Sequence, residues 1–268
     1  MNPIISRIRI YPIKSLDFVE LNEAEVGVHS LRYDREFAML THDGHFMNGK
    51  RSGRVNELMA SYDLADYKVT FSDRNGAHMN TFHLLNDTTD VEEYLTDFFG
   101  EPITLLQNKH GKLMDIPAAS SVTILSEASL QSLHQEFSDR SLDDLRLRFR
   151  ATIELSGVEP FWEENLVGTP GVGMRFTIVD VDMVGISPRA RCNVPPRDPF
   201  TGIADKTFVK RMIKSREKSL PDYSPISSYG GLYHLTINSY IPENQKGKWL
   251  KVGDELKIIE AIQLESAS

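Results

Sequence analysis

The sequence predicts an α+β protein that is mainly β and barrel-like. Three observations lead there. Many short runs alternate apolar and polar residues at period two, turn-forming residues separate those runs, and only three stretches carry an apolar stripe at helical spacing. The 268 residues suit one large or two intimate domains.

Ile4–Ile10 alternates apolar and polar at period two until Tyr11-Pro12 interrupts it, since proline cannot donate to a strand ladder. A second strand is expected over 31–40, ended by the turn Thr41-His42-Asp43-Gly44, and a third over 64–71. Asn75-Gly76 then makes a tight turn, because both residues tolerate positive φ. The first helix has Thr89 as N-cap and Glu92 as its capping-box partner; Val91, Tyr94, Leu95, Phe98 and Phe99 form its stripe and Gly100 closes it. Ser126 caps a second helix with Leu130, Leu133 and Phe137 on one face, and a third spans about 206–216 around Phe208, Val209, Met212 and Ile213. Further strands are expected over 122–125, 148–155, 174–181, 233–238 and 256–259, and Gly168-Thr169-Pro170-Gly171-Val172-Gly173 reads as a turn.

Composition removes several function classes. A 40% hydrophobic, 25% charged chain is neither disordered nor fibrous, and no apolar run approaches the roughly 20 residues that cross a bilayer. The N-terminus has no secretory h-region. A single cysteine excludes an internal disulfide framework and fits a reducing, cytoplasmic setting. Thirty Lys+Arg against 38 Asp+Glu leaves a net charge of -8, so nucleic acid is a poor partner, while a local basic pocket for a small anion stays open. Histidine spacing does not suit zinc, and phosphate-loop and nucleophile-elbow motifs are absent.

Three polar segments remain as carriers of chemistry: Tyr11-Pro12-Ile13-Lys14-Ser15 with Tyr33-Asp34-Arg35; Arg148-Phe149-Arg150-Ala151-Thr152 after Ser120-Ser121; and Arg189-Ala190-Arg191-Cys192 followed by Asp198-Pro199-Phe200-Thr201-Gly202. Lysine, arginine and hydroxyls suit a phosphate, arginine by its fork and lysine as a point charge. Positive charge beside a thiol favours the thiolate, a soft ligand for a transition metal. Plainer readings stand beside these. A lone cysteine is more often a small buried apolar residue, Asp34-Arg35 reads equally as a structural ion pair, and Asp-Pro-Phe-Thr-Gly alone is a turn.

The ordered set resembles the MOSC domain preceded by its N-terminal β-barrel domain. Tyr11-Pro12-Ile13-Lys14-Ser15 and Val28 through Phe37 match the N-terminal part. Ile124-Leu125-Ser126-Glu127-Ala128-Ser129-Leu130 leads into the MOSC part, and Arg148 through Gly157 resembles its arginine-rich strand. Phe161-Trp162-Glu163-Glu164, Arg191-Cys192, Asp198 through Gly202 and Val252-Gly253-Asp254 follow in family order. The resemblance implies an N-terminal β-barrel domain over 1–115 packed against a MOSC β-barrel over 116–268.

It further implies the molybdenum cofactor, a metal on a pterin dithiolene. Cys192 becomes the metal ligand and catalytic residue. Lys14, Ser15, Arg35 and Arg150 become cofactor contacts, with Ser120, Thr152 and Arg191 beside them. The reaction implied by the mitochondrial amidoxime-reducing components and their bacterial counterparts is reduction of N-hydroxylated or N-oxygenated small molecules by oxygen-atom removal. With one cysteine no iron–sulfur cluster fits, so electrons would come from a separate electron-transfer protein, and the lack of an aminotransferase-like segment argues against a sulfurase. The chain departs from the pattern at Asn48-Gly49-Lys50-Arg51, at Ala151-Thr152, at Pro188-Arg189-Ala190 and at Pro195-Pro196-Arg197. A cofactor carrier without redox activity, or a cofactor-free binder of another anionic ligand, is the alternative these departures leave.

Overall fold

The computed structural model describes residues 2–76, 78–110, 113 and 122–264. Among them run fifteen strands and four α-helices, in an α+β arrangement that is mainly β. The largest sheet has eight strands in the order β15 (Leu256–Gln263), β11 (Val172–Ile178), β12 (Val181–Ala190), β13 (His234–Tyr240), β9 (Thr123–Ser126), β10 (Ile153–Ser156), β1 (Ile4–Ile10) and β2 (Val19–Leu21). The β9–β10 pair is parallel. Parallel neighbours need a long crossover, and here it is α2 (Glu127–Glu136) followed by α3 (Leu142–Phe149). These two helices pack with α4 (Phe208–Ser219) around Leu130, Leu133, Phe137, Leu145, Phe149, Phe208 and Met212.

The remaining N-terminal strands form smaller sheets. β4 (Phe37–Thr41) pairs with β8 (Ile103–Gln107), and β5 (Leu58–Asp63), β6 (Lys68–Asp73) and β7 (Asn80–His83) form a three-stranded meander. Helix α1 (Thr88–Phe99) buries Val91, Leu95 and Phe99. β3 (Glu23–Glu25) pairs with β14 (Trp249–Lys251), far along the chain.

Besides the helical cluster two hydrophobic cores form, and the chain passes from the first to the second twice. Ile5, Ile8 and Ile10 belong to the core under the large sheet, whereas Ile13 and Leu16 belong to the core under β4–β8. Leu31 lies in the first and Phe37 in the second. Residues 11–15 and 32–36 are therefore seam residues. At a seam, polar side chains reach a cleft without leaving the packed interior.

Several expected elements come out differently. The strand expected over 148–155 is first helix and then strand: α3 ends at Phe149, Arg150 turns left-handed, and β10 starts at Ile153. The reason was present in the sequence. Ser141 caps α3 by accepting from the Asp144 N–H at 3.0 Å, and Asp143 and Asp144 complement the helix dipole. The strand expected over 31–40 exists only from Phe37, because Tyr33 and Arg35 sit at φ 67° and 50°. The one expected over 64–71 begins at Lys68, after a turn in which Tyr67 has φ 51°. Helix α1 starts at Thr88 rather than after a Thr89 cap. Glu92 makes no capping box; its carboxylate accepts from the Leu105 N–H at 2.7 Å and ties α1 to β8. Gly100 closes α1 at φ 74°, and Ser126 caps α2 through the Ser129 N–H at 3.1 Å.

Candidate functional site

The seam opens into a cavity of about 400 Å³, large enough for a small organic ligand. Lys14, Ser15, Arg35, Arg150, Arg191 and Cys192 all line it, so six of the expected site residues share one wall. Ser120 lies outside the described residues. Thr152 is not on the wall; it is buried behind Arg35 and accepts from its guanidinium at 3.0 Å.

Each wall residue is placed by local chain geometry. Residues 11–14 and 34–37 are tied together: Lys14 N donates to Phe37 O (2.7 Å), Phe37 N to Pro12 O (3.0 Å) and Arg35 N to Tyr11 O (2.9 Å). Tyr11 N donates to the Asp34 carboxylate at 2.9 Å. Cys192 follows the end of β12, with its carbonyl taking the Tyr233 hydroxyl at 3.1 Å. Ser15, Arg35 and Arg150 have φ of 78°, 50° and 53°. Left-handed backbone costs a non-glycine residue roughly 1–2 kcal/mol, so three together on one wall mark a place where the surrounding hydrogen bonds hold the chain against its preference.

The cations are held in different ways. Arg35 is buried and pairs with Asp34 at 2.6 Å, so the ion-pair reading of these two residues applies alongside a position on the wall. Arg150 donates to Leu16 O at 2.6 Å. The guanidinium carbons of Arg35 and Arg150 lie 4.3 and 4.0 Å from the centre of the Tyr11 ring, within cation–π range. Lys14 donates to Leu113 O at 2.7 Å and lies 3.9 Å from the Phe46 ring centre. Arg191 donates to Phe149 O at 3.1 Å, while its Nε and Nη1 are buried without a partner. Burial, and then the Arg189 charge, pull Arg191 down to about 9. Burial also lowers Arg150, and the like charge of Arg35 adds to it. Both guanidinium groups are thus short of negative charge in the empty protein frame. Cys192 is partly exposed at the same wall, so the reading of it as a packed core residue does not hold.

The loop after Cys192 is fastened by a residue that sequence reasoning assigned to a strand. The Arg148 side chain is fully buried, ion-paired with Asp144 and 3.6 Å from Asp198. It donates to the carbonyls of Pro195 (3.0 Å) and Arg197. Asp198 closes the next turn by accepting from Phe200 N (3.0 Å), Thr201 N (2.9 Å) and Thr201 Oγ1 (3.1 Å). Gly202, at φ 68°, touches Gly53 backbone to backbone: a Cβ there would stand 2.3 Å from Gly53 O. Segments 48–56 and 194–202 so meet at one end of the cavity. Lys50, Arg74, Arg189 and Arg197 line it as well. Arg189 and Arg197 lay within or beside a segment singled out in the sequence; Arg74, in the Asn75-Gly76 turn, carried no signal. Lys14, Arg35, Lys50, Arg74, Arg148, Arg150, Arg189, Arg191 and Arg197 make nine cations on the wall, against one acid, Asp17, among the described residues. Asp17 itself accepts from Ala60 N at 2.9 Å.

Elsewhere a second charged group is buried. Arg216 on α4 pairs with Glu164 at 2.6 Å and lies 3.7 Å from the Phe161 ring centre. Neighbouring Glu163 accepts from Ser129 Oγ at 2.9 Å, and burial pushes its carboxyl up to about 7. Ser129 Oγ also takes the Phe161 N–H at 2.6 Å, joining α2 to the segment 161–164. No group of three or more His, Cys, Asp or Glu among the described residues is arranged to hold a metal ion, and no helix among them is long and apolar enough to cross a membrane.

Comparison with known proteins agrees with the fold class. Residues 2–96 match the MOSC N-terminal beta barrel domain. The human molybdenum cofactor sulfurase is 24% identical over 265 residues, which cover 80% of this chain and 29% of that protein. This chain therefore spans about 29% of the length of the sulfurases it matches. Mitochondrial amidoxime reducing component 2 of Bos taurus is 25% identical over 298 residues, covering 93% of this chain and 81% of that protein; the Rattus norvegicus protein of the same name is also 25% identical. A solved structure, the YUAD protein from Bacillus subtilis, aligns over 99% of this chain and 98% of its own at 10% identity with a TM-score of 0.39, a likeness too low to build on. Residues 2–96 thus carry the MOSC N-terminal β-barrel domain, and over most of its length the chain is similar to the sulfurases and amidoxime reducing components.

Proposed function

We propose that this protein binds the molybdenum cofactor in the seam cavity and reduces N-hydroxylated or N-oxygenated small molecules, with electrons from a separate protein. The observation that carries the reading is the single thiol, Cys192, partly exposed on a wall of nine cations and one acid. The residues present fit the cofactor. A pterin phosphate supplies the negative charge that Arg150 and Arg191 lack, and the buried, unpartnered Nε and Nη1 of Arg191 are donors awaiting an acceptor. A soft thiolate is the protein ligand suited to molybdenum. The relatives named for molybdenum cofactor sulfuration and amidoxime reduction support the same ligand.

In this reading Lys14, Arg35, Arg150 and Arg191 bind and orient the phosphate and pterin, Ser15 adds a hydroxyl, and Cys192 holds the metal. Arg148 fixes the loop that forms the mouth, and Thr152 fixes Arg35. When bound, the cofactor supplies oxygen-atom acceptance and two-electron chemistry. The overall balance is N–OH plus two electrons and two protons giving N–H and water. Residues 1–115 form the N-terminal domain and 116–268 the MOSC domain, in a cytoplasmic protein.

The reading is tested with protein from a cofactor-competent host, benzamidoxime as substrate and reduced viologen as donor. The wild type is expected to form benzamidine, and Cys192→Ala to fall to background while its thermal midpoint stays within a few degrees of wild type. Wild-type turnover by Cys192→Ala overturns the assignment.

A further inference from the structure

We propose that the end of the cavity between residues 48–56 and 194–202 is a carboxylate-reading subsite, with Arg197 as the residue that sets substrate preference. The inference rests on the function proposed above, and it narrows the substrate to N-oxygenated compounds that carry a carboxylate.

The geometry separates two arginines at this end. Arg74 is spent on holding the wall: its Nε donates to Asn56 O at 2.9 Å, its Nη2 to Pro199 O at 3.4 Å and lies 3.7 Å from Asp17, and its guanidinium is 5.3 Å from the Phe200 ring centre. Arg197 is only partly used. Its Nη1 donates to Gly202 O at 2.9 Å, while its Nε is buried with no acceptor. The amide Oδ1 of Asn56 is likewise buried with no donor. The two side chains line the same cavity and belong to segments in direct contact: a Cβ on Gly53 would lie 3.2 Å from Arg197 Nη1, and one on Gly49 3.4 Å from Val194 and 3.9 Å from Asn56 Oδ1.

A guanidinium N–H left bare in a buried wall is costly, and a carboxylate is the acceptor whose shape suits the arginine fork. Asn56 Oδ1 calls for a donor beside it, which an N–H on the same ligand provides. Charge points the same way. Among the described residues the wall carries nine cations against one acid, Asp17, which is already bonded to Ala60 N, so its field favours an anion. A site that leaves a buried polar group unpaired discriminates strongly against a ligand lacking its partner. A neutral substrate does this to Arg197.

The test compares benzamidoxime with 4-carboxybenzamidoxime in turnover, and benzamidine with 4-amidinobenzoate in calorimetric binding, on the full chain as purified. The carboxylated member of each pair is expected to be favoured by about tenfold or more. Arg197→Gln should bring both ratios toward one, through KM rather than kcat, and Arg197→Lys should keep an intermediate preference. Equal wild-type affinity for benzamidine and 4-amidinobenzoate overturns the subsite without needing any variant, as does an Arg197→Gln protein that keeps the full preference. Release of a nucleotide from the purified protein on acid hydrolysis assigns this end to an extended cofactor and also overturns it. Binding preference without turnover keeps the subsite and sinks the redox reading; turnover without preference does the reverse.

Discussion

Two arginine sites of the molecule are built differently. Arg216 lies in the interior: Glu164 is its counterion and Phe161 covers its face, with Glu163 and Ser129 beside them, although its Nε and Nη1, like those of Arg191, are buried without a hydrogen-bond partner. Arg150 and Arg191 line an open cavity, with carbonyls and an aromatic ring as partners but no carboxylate of their own. A buried ion pair whose partners are both protein groups is structure; a buried cation whose countercharge is absent from the chain is a binding site waiting for an anion. The same residue type therefore has a carboxylate counterion at Arg216 and none at Arg150 or Arg191, and that difference is what the proposed function rests on.

The largest separation should appear in stability. Arg216→Met strands the Glu164 carboxylate and is expected to cost about 3–5 kcal/mol, with part recovered in the double variant Arg216→Met/Glu164→Leu. Arg150→Met removes a charge that burial and Arg35 already disfavour, so its cost in ligand-free protein should be about 1 kcal/mol or less, the scale of one hydrogen bond. Urea unfolding of the three variants measures both, and a larger loss at Arg150 than at Arg216 breaks the comparison.

A smaller effect sharpens the structural side. Glu163 is raised from 4.5 to about 7, first by burial and then by the charge of Glu164. A carboxyl raised on folding holds its proton more tightly in the folded state. The wild type, measured against Glu163→Gln, should be most stable below pH 4.5, lose stability as pH rises and level off above about pH 7, over a span of about 3 kcal/mol. Unfolding midpoints of both proteins at pH 5 and pH 8 check it, and parallel pH dependence in the two contradicts it.

These regions were not equally legible in the sequence. Lys14, Ser15, Arg35, Arg150, Arg191 and Cys192 stood in segments where cations, hydroxyls and a lone thiol gather, and they do share one wall. Local chemistry marks such residues because few other positions need that mixture. Arg74 and Asn56 could not be found the same way, since only the crossing of the chain between two cores brings them there. The run 142–149 was open to a helical reading through its Ser141 cap and acidic first turn, yet the alternation that follows Arg150 drew the strand too far back. Left-handed Tyr33 and Arg35 broke the strand before Phe37 for a tertiary reason: Asp34, besides its pair with Arg35, is committed to Tyr11 N, a bond that neighbouring residues do not reveal.

The central claim, that the cationic cavity holds a pterin phosphate and Cys192 holds its metal, is tested most directly by content rather than rate. Pterin and molybdenum are measured per chain in the wild type and in Cys192→Ala, both purified from a cofactor-competent host. The account predicts near-stoichiometric pterin and molybdenum in the wild type, and in the variant pterin largely retained through Lys14, Arg35 and Arg150 with molybdenum lost. A wild-type protein free of pterin, or a Cys192→Ala protein with undiminished molybdenum, would contradict it.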